Sequence, residues 1–167
     1  MGIVEEVVKI VDDLSEIKQC SALENEFERI MKGLRQAVAE DNSMPQEKKE
    51  SLIGEIDEAL NSAANGKKEN ESNISNLKDR ILELAKYAEE SHETELDVAQ
   101  LKVYKGLHER EMQNLLSRPD SKTNGLIEYK IERNKFCIES LEESINLFQS
   151  LDNGLNATSD SPSPGSK

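Results

Sequence analysis

The sequence predicts an all-α protein: four long helices arranged as an antiparallel bundle or a coiled-coil hairpin, followed by a disordered C-terminal tail. Three observations carry this reading. Apolar residues recur three and four apart through most of the 167 residues, which is the spacing of one helical face. Charged residues make up 33% of the chain, as suits long helices with one wet side. Apolar residues make up only 35%, with no Trp, three Phe and three Tyr. That is thin for a compact core, since an ordinary globular chain is roughly 45–50% apolar, glycine included.

Residues 3–40 read as one helix. Val7, Ile10, Leu14 and Ile17 step by three and four, as a coiled-coil seam does, and Phe27, Ile30, Leu34 and Ala37 do so again. Between them Ile17, Cys20, Leu23 and Phe27 run three, three, four. That slip predicts a local change of winding, or a break near Ser21. In "EDNSMPQEKKE" the chain turns and restarts. Ser43 is placed to cap, Pro45 fits a first turn, and Gln46 follows Ser43 at capping-box spacing. The second helix carries Leu52, Ile53, Ile56, Leu60 and Ala63 on one stripe, and Asn65-Gly66 is expected to end it.

A third helix begins near Ser72, with Ile74, Leu77, Ile81, Leu84 and Ala88 in a three-four seam. Residues 89–95, "EESHETE", hold no apolar side chain, yet the period resumes at Leu96 and runs to Leu116, where Arg118-Pro119-Asp120 stops it. The reading favours one continuous helix over 72–116, about 65–70 Å long, with a polar break near Ser91 as the alternative. In the last helix, Leu126 to about Leu151, Ile127, Ile131, Asn134, Ile138, Leu141, Ile145 and Phe148 alternate four and three. A hairpin turning at Arg133-Asn134 competes for the first half, where apolar and polar residues alternate, but the period to Phe148 favours helix. Residues 1–153 are thus expected to form the helical domain. Residues 154–167, rich in Gly, Ser and Pro, form the tail.

Charge and motifs narrow the function classes. The net charge of −13 repels phosphate backbones and anionic membranes, so neither nucleic acid nor membrane is the expected partner. The start "MGIVEEVVKI" lacks the basic and apolar regions of a signal peptide, and no run approaches the ~20 apolar residues of a membrane span. A cytoplasmic or nuclear setting is expected. Cys20 and Cys137 make no disulfide framework and read as small buried hydrophobes. Phosphate-cradling, dinucleotide, redox and nucleophile-elbow motifs are absent from the sequence.

The stretch that comes nearest to chemistry holds both histidines. Glu89-x-x-His92 has the spacing of a carboxylate-bridged di-metal bundle, in which i and i+3 share a helical face. Such a site needs a second Glu-x-x-His, and His108 has Lys105 in the matching place. His92 therefore reads as part of the polar break and His108 as a half-buried packing residue. No metal, cofactor or small-molecule ligand is expected.

Two features point to protein partners instead. Leu96, Ala99, Val103 and Leu107 form one stripe of the 96–116 segment, and Val98, Leu101, Met112 and Leu116 form another, offset by more than 90°. A helix apolar on two sides packs against two neighbours. Asn134 sits at a seam position with Ile138 and Leu141, where one buried amide fixes register or partner number at a cost in stability; a slightly rotated helix that turns Asn134 to water is the alternative. The expected function is a non-enzymatic scaffold or adaptor that binds another protein, or a second copy, through Leu96, Val98, Leu101, Val103, Leu107, Met112, Leu116, Asn134, Ile138 and Leu141. A coiled-coil stalk segment of a larger cytoskeletal or kinetochore-type assembly is the second expectation, and a carboxylate enzyme the third.

Overall fold

The computed structural model describes the backbone of residues 2–160 and the side chains of 2–153. The chain folds into four helices, α1 (Ile3–Glu40), α2 (Gln46–Glu90), α3 (Thr94–Leu116) and α4 (Gly125–Asp160). There is no strand among the described residues. The fold is all-α, as the periodicity predicts, but the helices divide the sequence differently.

α1 runs through Ser21 without a break. The phase slip after Ile17 acts instead on the faces. Beyond it, Glu24, Glu28, Met31 and Val38 turn inward, while Leu23, Phe27, Ile30 and Leu34 turn to solvent. At the following turn the Ser43 amide and hydroxyl both donate to Asp41 Oδ1, at 2.9 and 2.6 Å, an Asx turn within the loop before α2 begins. Gln46 bonds Glu50 at 3.2 Å, so no capping box forms.

α2 passes straight through Asn65-Gly66, where the sequence predicts an end. Gly66 serves close approach rather than a cap. A Cβ there would meet a Glu24 carboxylate oxygen at 3.0 Å, and Glu24 accepts from Asn70 Nδ2 at 2.8 Å. The α1 side chain thus lies over the glycine, and the helix gains a tertiary contact that outweighs its weak propensity there.

The expected continuous helix over 72–116 breaks at the polar stretch. α2 ends at Glu90, and His92 adopts φ 59°, a left-handed conformation in which His is better tolerated than branched residues. The amides of His92 and Glu93 close the turn on the carbonyls of Glu89 and Ala88. With no apolar side chain from 89 to 95, a continuous helix would have had nothing to bury there. In the segment where a hairpin competed, α4 is helical without interruption. Asn124 caps its start, its Oδ1 accepting from the Leu126 amide at 3.0 Å. The helix continues to Asp160; the rest of the expected tail, residues 161–167, lies outside the described residues.

The chain divides into two compact units, Met1–Glu16 with Ser75–Lys167, and Ile17–Ile74. The second is an α1–α2 hairpin. Arg35 pairs with Asp57 at 2.8 Å, Lys49 Nζ donates to the Ala39 carbonyl at 3.2 Å, and Asn70 reaches Glu24. Numbers rise on one helix as they fall on the other, so the two are antiparallel. The first unit brings four helical segments together. Arg80 pairs with Glu6 at 2.8 Å, Lys105 with Glu142 at 3.2 Å and Lys78 with Glu143 at 4.0 Å. Val7, Val11 and Leu14 from α1, Ala85 and Ala88 from α2, Leu101 from α3 and Leu141 and Phe148 from α4 are its buried core.

Small residues let these helices approach. Ser15, Ser140 and Ser144 are all buried, and Ser15 and Ser144 satisfy their hydroxyls within their own helices by donating to the carbonyl four residues back at 2.8 Å. A polar atom that carries its own acceptor costs little to bury. Cys137 packs in the same place, its Sγ 3.1 Å from Ser15 Oγ. Burial pushes its thiol pKa up, so it behaves as a small hydrophobe. Cys20, in contrast, is exposed.

Candidate functional site

The residues expected to form partner seams fall into two groups. Val98, Leu101, Leu141 and Asn134 are buried in the first unit, and Met112 and Ile138 are half-buried. These face the bundle's own helices. Leu96, Val103, Leu107 and Leu116 are exposed, Val103 at 63%. At 100° per residue, Leu96, Val103 and Leu107 fall within about 40° of one another on α3, with Ala99 close by. Val98 and Leu101 lie on the far side, toward the core. The two stripes of α3 therefore have different fates: Val98 and Leu101 of one fill the bundle, with Met112 half-buried and Leu116 exposed at its end, and the other meets solvent.

Asn134 and His108 join α3 to α4. Asn134 Nδ2 donates to the Lys130 carbonyl at 2.9 Å and to Glu111 at 3.3 Å. Its Oδ1 is left to accept, and His108 Nδ1 lies 2.9 Å from it. The amide orientation thus requires a proton on Nδ1 of His108. Sequence reasoning placed Asn134 at a seam position and read His108 as a half-buried packing residue but did not pair them. They lie 26 residues apart, on helices whose relative rotation periodicity does not specify. A double-mutant cycle with His108→Leu and Asn134→Ile, followed by urea denaturation, should show a coupling of about 0.5–1.5 kcal/mol, the size of one net buried hydrogen bond. Additive single effects would mean that the pair contributes nothing.

The first turn of α3 holds a second polar cluster that the sequence did not reveal. Thr94 and Asp97 are buried. The Thr94 hydroxyl and one Asp97 carboxylate oxygen lack a hydrogen-bond partner. Burial pushes the Asp97 carboxyl pKa upward, and Glu93 and Glu5 push it further. Only the acidity of the neighbourhood was visible in "EESHETE".

Among the described residues, no group of three or more His, Cys, Asp or Glu is placed to hold a metal ion, and no helix is long and apolar enough to cross a membrane. The cavities are small. An apolar one, about 190 Å³, lies between Leu14, Ile81 and Leu147, with the Lys78–Glu143 pair at its lining. Comparison with protein-family models, with curated proteins and with solved structures returned no match to this chain.

Proposed function

We propose that the protein is a non-enzymatic helical scaffold or adaptor that holds a helix of another protein against the outward face of α3. The observation that supports this is the stripe Leu96, Ala99, Val103 and Leu107, exposed on the side opposite the core. Its span, about 17 Å at 1.5 Å per residue, suits three turns of an amphipathic helix laid along it. Glu95, Lys102 and Glu109 border one side and Gln100 and Glu111 the other, a mixed polar rim of the kind that selects a partner by charge. The setting we infer is cytoplasmic or nuclear, in keeping with two free cysteines.

A coiled-coil segment of a larger assembly is the second reading, favoured by the hairpin, whose α1 helix carries an apolar period facing solvent.

Replacing both Val103 and Leu107 with Glu tests the leading reading. Both side chains are exposed, so stability should change by less than about 0.5 kcal/mol for each. In-cell crosslinking with mass spectrometry should then lose the partner that the unaltered chain captures. An unchanged set of captured proteins would remove α3 from the binding surface.

A further inference from the structure

The α1 helix of the hairpin has two apolar-capable faces and uses only one. Toward α2 it turns Glu24, Glu28, Met31 and Val38. About 100° around the helix, Leu23, Phe27, Ile30 and Leu34 are 42% to 67% exposed. Cys20 and Ala37, both exposed, extend this stripe at either end, giving a strict three-four period over 18 residues. Such a period on one face is the seam of a coiled coil.

We propose that this stripe pairs with the same stripe of a second copy, antiparallel, about a two-fold axis between Phe27 and Ile30. In that register Leu23 meets Leu34 of the second copy, Phe27 meets Ile30, and Cys20 meets Ala37. Large residues oppose large ones and small oppose small, as an isologous interface requires.

The flanking charges fit the same register. Acidic residues border the stripe at Glu24, Glu26 and Glu40, a pattern that repels a like helix wherever acid faces acid. Here none does. Glu26 faces Gly33 of the second copy and Glu24 faces Met31, while Glu40 falls level with Gln19, which is buried in its own chain. Gly33 leaves open space, since a Cβ there would touch nothing within 4 Å. Residues 17–74 carry eight Lys and Arg against twelve Asp and Glu, a net −4 of the chain's −13, so long-range repulsion is weakest in this unit and is screened at physiological salt.

The interface is short, about 25 Å along the helix, so the dimer dissociates on dilution. Light scattering and sedimentation of the full chain should show a monomer–dimer equilibrium between micromolar and millimolar concentration. A monomer throughout that range overturns the proposal. Ile30→Glu should leave the helical circular dichroism intact, because Ile30 is half exposed, and should abolish the dimer; a dimer that survives places the contact elsewhere.

A short bis-maleimide reads the register. Ala37→Cys brings a thiol level with Cys20 of the second copy, and a covalent dimer should form. The unaltered chain should crosslink poorly, since its two Cys20 thiols would be about 25 Å apart. Equal crosslinking of the unaltered chain would mean parallel pairing and would overturn the assigned axis. Gly33→Lys should bind about five- to tenfold more tightly than Gly33→Glu, from two flanking ion pairs gained rather than two repulsions. Equal constants count against the register too. The α3 variant Val103→Glu, Leu107→Glu leaves this equilibrium unchanged, so failure of either surface is separable from failure of the other.

Discussion

Phe148→Ala is expected to lower stability by about 3–5 kcal/mol, the cost of emptying a large buried aromatic site. Phe148 is fully buried in α4, and it is the only one of the three Phe residues that is fully buried. Its neighbour on α4 is poorly able to fill the gap. Ser144, one turn earlier on the same helix face, is small and buried, and it cannot swing a longer side chain inward. Alanine's better helix propensity offsets only about 0.5 kcal/mol. Against a whole-domain stability of about 5–15 kcal/mol, this loss would shift the urea midpoint strongly. Phe27→Ala provides the control. At low protein concentration, where α1 is unpaired, its cost should stay below about 1 kcal/mol. Equal costs at the two positions would mean that the core does not centre on Phe148.

Asp97→Asn is expected to raise stability at neutral pH, because it removes a desolvated charge flanked by two other carboxylates and leaves a neutral amide of the same shape. The sign follows from linkage. Burial, with help from Glu93 and Glu5, raises the folded-state pKa of Asp97 above its unfolded value. The folded chain therefore binds the proton more readily than the unfolded chain. The stability this contributes is fully present below the unfolded pKa and is lost as pH rises through the folded one. At neutral pH the ionised carboxylate sits beside two others, and the amide of Asn keeps the shape without the charge. Urea titrations of both proteins from about pH 3 to about pH 8 should show the two converging in acid and separating as pH rises. A constant difference across that range, or a mutant less stable at neutral pH, would show that Asp97 is already satisfied as an anion.

The fold class was legible because long three-four periods have few other solutions. The boundaries were less so, and for particular reasons. Asn65-Gly66 carries a local stop signal, but Glu24 lies over Gly66 and Asn70 bonds to it, a contact 46 residues away in sequence. The polar run at 89–95 was recognised, but the tendency of a helix to continue was set above it. In the structure the helix ends at Glu90 and the chain turns at His92 within this run. For the candidate surface, the two stripes of α3 could be read from spacing. Which of them would be covered could not, because that depends on how α4 is rotated against α3. The slip after Ile17 was visible in the sequence, but its consequence, an apolar face turned away from α2, needed the position of α2.

The left-handed turn at His92 has a bearing on how sequences of this kind are compared. A residue at φ 59° is selected first by its backbone. Glycine meets no steric penalty there, and Asn, Asp and His meet less than branched residues do. Such a position accepts those few residues with little change in the fold. A histidine beside carboxylates at this point is one occupant of a short steric menu, so its backbone alone gives a reason for its presence.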